Sequence, residues 1–253
     1  MKKNKVDIII LGGSGLLGKS IIKKFIVKKN RILNLDINNI KKKSKYYFFE
    51  SFDMTSKDLD INLKKIFKFY SVPKIYIDCS YINRDLLIDI DFNKITKTKL
   101  NRVLNDWLSS SIVISSYMLT KMKKSKIESS VILTSSIYGV VAQDPNVYKN
   151  TNIKENIGYT LVKSGINNFV KNAATIYGPY NIRVNSISPG GIKNKYDKNF
   201  NNKIFKKNYL KKVPLKRFAN ADEIANIYEF IGSNNSSYIT GFNLIADGGF
   251  TLT

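Results

Sequence analysis

Gly12-Gly13-Ser14-Gly15-Leu16-Leu17-Gly18-Lys19-Ser20 is the stretch on which the reading of this chain turns. Taken from Gly13, it fits G-x-x-x-x-G-K-S/T, a loop that wraps the phosphates of nucleoside triphosphates. Taken from Gly12, its glycines at 12, 15 and 18 form a turn that seats the pyrophosphate of a dinucleotide. Both readings use one physical device: main-chain amides bared by glycine at a helix start, where the helix dipole favours an anion. The flanking residues must decide.

Residues 6–11 (VDIIIL) form an apolar run that ends at the glycines and reads as a buried parallel strand. Past the turn, Leu17, Ile21 and Phe25 recur at helical spacing, while Lys23, Lys24, Lys28 and Lys29 lie outward. Further strand-like runs fall at 31–36, 46–49, 74–78, 131–134, 183–187 and 242–245, with helical stretches around 95–122, 155–178 and 220–232. This alternation predicts an α/β fold: a single Rossmann-type, doubly wound parallel sheet of about seven strands flanked by helices. No repeat or linker interrupts it, so residues 1–253 read as one domain.

Two features separate the readings of the glycine turn. Leu16 and Leu17 stand where a triphosphatase loop would wrap its phosphates; in a dinucleotide turn they open the first helix, and Gly18 permits close helix–strand contact. Asp36 ends the second strand eighteen residues beyond Gly18, where an acid receives the ribose hydroxyls of NAD and repels the extra phosphate of NADP. Ile75-Tyr76-Ile77-Asp78 could pass for the metal-binding strand of a triphosphatase, but short apolar strands ending in Asp are common. The dinucleotide reading prevails.

Composition narrows the function classes. A formal charge of +23 invites a polyanion as partner. Yet nearly all the basic residues are lysines scattered along the chain, with arginine only at 31, 84, 102, 183 and 217. No RNA-recognition or helix-turn-helix pattern accompanies them, so nucleic acid is not expected; anionic substrates and acidic protein partners are. One cysteine, Cys79, excludes an internal disulfide, and the absence of histidine leaves no sign of a zinc site. No apolar run reaches the length of a membrane span, and a cytoplasmic protein is expected.

Tyr159-Thr160-Leu161-Val162-Lys163 carries the chemistry. Tyr and Lys at i and i+4 share one face of a helix. A free phenol has a pKa of about 10, and a neighbouring ammonium plus an oxidised nicotinamide favour the phenolate, bringing it towards working pH. Upstream, Thr134-Ser135-Ser136-Ile137-Tyr138-Gly139 ends the fifth strand, and a hydroxyl there can hold a substrate oxygen. Ser135 and Ser136 are not separable by sequence.

Glycine turn, Asp36, Asp53-Met54, Ser136, Tyr159 and Lys163, in this order and over nearly the whole chain, resemble the short-chain dehydrogenase/reductase family. The run Arg183-Val184-Asn185-Ser186-Ile187-Ser188-Pro189-Gly190-Gly191-Ile192 is similar to the family segment lying against the nicotinamide. Residues 214–225 and 236–249 resemble its C-terminal signature. The resemblance implies that Tyr159 is the general acid/base, Ser136 binds the substrate oxygen, and Lys163 binds the nicotinamide ribose and lowers the Tyr159 pKa. It implies NAD as cofactor, contacted by Gly12, Ser14, Gly15, Leu16, Leu17, Gly18, Asp36, Ile37, Asp53, Met54, Cys79, Ser80, Tyr81, Tyr159, Lys163, Pro189, Gly190 and Ile192. It also implies a homotetramer or homodimer, built through the helices around 95–122 and 155–178 and the C-terminal segment.

The chain departs from the family pattern at several places. The turn is spaced G-x-x-G-x-x-G, as in the extended branch. Asp78-Cys79-Ser80-Tyr81 replaces the usual Asn-Asn-Ala-Gly, and Trp107 stands where an asparagine normally supports the proton relay. Either Trp107 packs while Ser109, Ser110 or a carbonyl orders the water, or catalysis is impaired. Ser136 and Tyr159 lie 23 residues apart, and the extra residues 142–152 predict a polar loop, either near the substrate or at the surface or a subunit contact. This insertion and the Ser-Pro-Gly-Gly-Ile run look like the subgroup tied to flagellin modification and surface-sugar synthesis. A lysine-rich stretch over 193–213 matches the family's substrate lid and fits an anionic sugar derivative. The leading reading is an NAD-dependent sugar or nucleotide-sugar dehydrogenase. A 3-oxoacyl-thioester reductase and a cofactor-binding module of weak catalysis stay open.

Overall fold

Neighbouring apolar residues of a strand point to opposite faces of a sheet, and here that alternation builds two core layers. Ile9 and Leu11 of β1 (Ile8–Leu11) enter one layer, and Ile8 and Ile10 enter the other. The computed structural model describes residues 3–82, 92–194 and 202–253. Among these, β2 (Ile32–Asp36), β3 (Tyr47–Ser51), β4 (Ile75–Asp78), β5 (Ser129–Thr134), β6 (Ile182–Pro189) and β7 (Asn243–Ala246) join β1 in one seven-stranded sheet. Its order is β3-β2-β1-β4-β5-β6-β7, and every pairing is parallel. Strands lie at all seven positions expected from the sequence.

The helices cover both faces. α1 (Leu16–Val27) and α8 (Ala221–Gly232) cover one face, burying Ile21, Ile22 and Phe25 against Ile224, Tyr228 and Ile231. On the other, α2 (Leu59–Phe69), α4 (Ser110–Ser125) and α6 (Ile157–Tyr177) bury Leu63, Ile114, Met118, Val162 and Ile166. A short α3 (Lys97–Val103) runs into α4 through a π-helical segment, Leu104–Ser109. The expected helix around 95–122 is therefore one helix widened in its middle. Leu63, Ile66 and Phe67 mark α2 at helical spacing, a signal present in the sequence and not used there.

β1 pairs with β2 on one side and β4 on the other, so the chain reverses direction across the sheet at their carboxyl ends. That crevice is where an open α/β sheet receives a ligand. A third cluster lies above it. α5 (Pro145–Tyr148) of the insertion and α7 (Lys203–Lys211) of the expected lid pack Val147, Tyr148, Phe205 and Tyr209 together with Phe250. Of the lid stretch 193–213, residues 195–201 lie outside the described residues.

Candidate active site

The glycine turn leads from β1 into α1, whose first-turn amides have no partner within the helix. Gly12 has φ +77°, and a Cβ there would lie 2.5 Å from the Ser80 Cα. A Cβ on Gly18 would lie 2.5 Å from the Gly13 Cα, so the fold itself requires both glycines. Gly15 is different: only the Gly12 carbonyl, at 3.5 Å, is near. The protein leaves that face open, which fits the close approach of a pyrophosphate to the helix start. Leu17 packs on the sheet, whereas Leu16 is 41% exposed.

Asp36 is tied to this turn. Its Oδ2 accepts the Ser14 N–H at 2.9 Å and its Oδ1 accepts the Asn38 N–H at 2.9 Å. The fully buried Asn34 of β2, which sequence reasoning missed, donates to the Ser14 hydroxyl at 2.9 Å and the Tyr47 hydroxyl at 3.0 Å. Ile37 lies exposed beside Asp36. Asp53 is exposed and accepts from Thr55, while the Met54 side chain is buried in the core.

Beyond β4 the four substituted residues form a polar knot. Asp78 is buried and accepts the Ser80 N–H at 2.9 Å, the Ser80 hydroxyl at 2.6 Å and the Ser111 hydroxyl. The Cys79 thiol donates to the carbonyls of Leu11 and Gly12; burial, then the charge of Asp78, pushes its pKa up. Tyr81 is half exposed. On the far side, Pro189 is buried at the end of β6, Gly190 donates to the Ala246 carbonyl, and Ile192 bridges to Ala219.

Between these lies the group expected to carry the chemistry. The Ser135 hydroxyl donates to the Lys163 carbonyl at 2.9 Å, whereas the Ser136 hydroxyl accepts the Tyr138 N–H and hydrogen-bonds Tyr159. The two serines that sequence could not separate thus face different ways, and Ser136 is the one at the phenol. The N-cap Asn156, whose side chain accepts the Tyr159 N–H at 2.7 Å, starts α6 there. Lys163, one turn on, is 3% exposed and donates to the Thr134 carbonyl at 2.8 Å. Burial pulls its pKa down to about 8, against the opposing charges of Asp78 and Cys79. Burial pushes Tyr159 up, opposed by its hydrogen bond with Ser136. Desolvation thus disfavours the charged form of both groups.

The insertion forms a wall of polar groups around Tyr159. Gln143 donates to the Tyr148 hydroxyl at 3.0 Å and accepts the Asn156 N–H at 2.7 Å. Tyr209 of α7 accepts the Gly191 N–H at 2.6 Å. Burial pushes the phenols of Tyr138, Tyr148 and Tyr209 up, and the charge of Tyr159 adds a minor part. A cavity of about 590 Å³ opens beside this wall, lined by Tyr138, Val141, Gln143, Lys154, Ile157 and Thr160 among others. Ser136, Tyr159 and Lys163 do not line it.

Comparison with known proteins agrees with this fold. Residues 77–251 match the family model described as enoyl-(acyl carrier protein) reductase. The 3-oxoacyl-(acyl-carrier-protein) reductase FabG of Buchnera aphidicola, Schizaphis graminum subspecies, is 29% identical over 257 residues, all of both chains. The post-translational flagellin modification protein A of Campylobacter coli is 29% identical over 264 residues, again all of both. A short-chain dehydrogenase of Leptospira borgpetersenii, solved with NAD+, superposes with a TM-score of 0.81 at 29% identity, covering 99% of this chain and 94% of that one. Fold and site together define an oxidoreductase acting on CH–OH groups. The chain belongs to the short-chain dehydrogenase/reductase family.

Proposed function

We propose that this protein is an NAD(H)-dependent oxidoreductase acting on a hydroxyl or carbonyl carbon of a sugar or nucleotide-linked sugar. The observation that carries the substrate class is the polar wall of Gln143, Tyr148 and Tyr209, tied through Asn156 to the start of α6 at Tyr159. Gln143, Tyr148 and Tyr209 already hold one another or the backbone, and hydroxyls that accept one bond keep capacity to pair with a polyhydroxylated ligand. Lysines of the lid, among them Lys206, Lys207 and Lys211, supply positive charge for a phosphate or carboxylate on that sugar. The full-length likeness to a flagellin modification protein supports the same reading.

The glycine turn and α1 amides hold the cofactor pyrophosphate, and Asp36 receives the adenosine ribose hydroxyls. Bound NAD supplies the hydride acceptor or donor at nicotinamide C4. Ser136 holds the substrate oxygen, Tyr159 takes its proton on oxidation and returns it on reduction, and Lys163 binds the nicotinamide ribose and favours the phenolate.

A 3-oxoacyl-thioester reductase is the second reading, favoured by the full-length FabG likeness and a basic surface suited to an acidic carrier. The test is to follow NAD(P)H absorbance with the purified protein. One arm holds NAD with phosphorylated and nucleotide-linked sugars; the other holds an acetoacetyl thioester with NADH or NADPH. Reduction of NAD by one sugar class is the expected result. Turnover of the thioester alone, with NADPH preferred, would overturn both the sugar and the Asp36 assignments.

A further inference from the structure

A buried ammonium needs partners for its three donors. Among the described residues Lys163 has no ion pair, and the Thr134 carbonyl is its one hydrogen-bond acceptor. Its Nζ instead faces the ring of Trp107, 4.5 Å from the centroid, with the Tyr159 ring at 5.7 Å. Trp107 is 1% exposed and lies 4.8 Å from the Tyr81 ring and 5.8 Å from Tyr159, centroid to centroid. The π-helical segment Leu104–Ser109 carries it, and one turn on Ser111 engages Asp78. The other helices bury Phe25, Phe67 and Tyr228 as well, but Trp107 is the ring whose face meets the buried Lys163 ammonium at the Tyr159 centre.

We propose that Trp107 is a positioning residue of the active centre: its ring face holds the Lys163 ammonium in place of a hydrogen-bonding side chain and keeps water from it. This rests on the roles of Tyr159 and Lys163 proposed above. The ring acts in two opposite directions. Its quadrupole favours the charged lysine, and its bulk, by excluding water, disfavours it. The other groups facing Lys163 are Asp78 at the end of β4, Cys79 just after it, the Thr134 carbonyl of β5 and Tyr159 of α6. With Ser80 and Ser111 engaging Asp78, these set the background on which the ring works.

Substitution separates the two effects. Trp107→Leu keeps an apolar plug but removes the quadrupole, so Lys163 loses its proton more easily. Trp107→Asn admits water, so the lysine holds its proton longer. Alcohol oxidation needs the cation to sustain the Tyr159 phenolate, so the rate falls on the alkaline side as Lys163 titrates. That limb moves down by about half to one pH unit in Trp107→Leu and up by a similar amount in Trp107→Asn. Trp107→Phe, which keeps a π face, stays nearest the wild type. Equal shifts, or lost activity without shift, would mean that Trp107 only packs.

A second readout needs no turnover. Trp107 is the chain's single tryptophan, so intrinsic emission reports it alone. Emission of the whole protein should show a pH transition near 8, retained in Tyr159→Phe and absent in Lys163→Met and in Lys163→Arg, whose guanidinium stays charged. A transition that persists in both lysine variants, or none in the wild type, overturns the contact. If Lys163→Met oxidises substrate normally while the emission behaves as expected, the catalytic role of Lys163 fails and the Trp107–Lys163 contact stands.

Discussion

Three glycines of one turn differ in what they are for. Gly12 and Gly18 are crowded by protein backbone, whereas Gly15 meets nothing closer than 3.5 Å. Gly18→Ala must force α1 off the turn, an overpacking that costs about 1–3 kcal/mol and lowers the melting temperature. Gly15→Ala should leave melting within a degree or two and weaken NADH binding at least tenfold, because the added methyl fills the space open to the pyrophosphate. Calorimetry and NADH titration of both variants check this; tight NADH binding by Gly15→Ala would displace the pyrophosphate from this turn. The same scale shows what sequence could reach. Spacing identified Tyr159 and Lys163 as a pair on one helix face, because a turn of helix is a local property. It could not assign Ser136 over Ser135, since that depends on which hydroxyl the Lys163 carbonyl, 28 residues away, takes up.

At the scale of elements, the insertion and the lid form one unit. Asn208 of α7 donates to the Lys149 carbonyl at 3.0 Å, and Lys212 pairs with Asp144 at 3.0 Å. Tyr148, Phe205 and Tyr209 pack between them, and Tyr209 stacks on Phe250 of the C-terminal segment. α5 and α7 are too short to hold alone and are ordered by this packing. Asn208→Ala should therefore raise the KM for the sugar by up to about tenfold, the worth of one or two hydrogen bonds, with NADH affinity unchanged. Steady-state kinetics beside an NADH titration separate the two; a loss confined to NADH binding would place α7 outside substrate closure. The sequence showed the extra length at 142–152 and its polarity, but not that α5 packs on a helix some sixty residues later.

For the whole molecule, the proposed cofactor site spans elements that the sheet alone brings together: the ends of β1, β2, β4, β5 and β6. A ligand that bridges them is linked to global stability. NADH at about a hundred times its Kd should add about 2.7 kcal/mol, a rise of roughly 5–10 °C in melting temperature for a chain of this size. Differential scanning with and without NADH measures it. A shift with NADPH but none with NADH would reverse the cofactor preference assigned to Asp36.

The amino-acid sequence alone determined the alternation of strands and helices, the glycine turn between β1 and α1, Asp36 at the end of β2 and the Tyr159–Lys163 pair. Each is written in short-range periodicity or in one strand–turn–helix unit, where local sterics and hydrophobic spacing suffice. Tertiary structure decided the rest. Trp107 stands more than fifty residues from Lys163 in the chain, and sequence could only ask whether it packs or impairs. The widened helix between α3 and α4 turns its ring onto the buried ammonium. Burial and ring contact are properties of the assembled core, because water is excluded only when β4, β5, α4 and α6 close around one lysine.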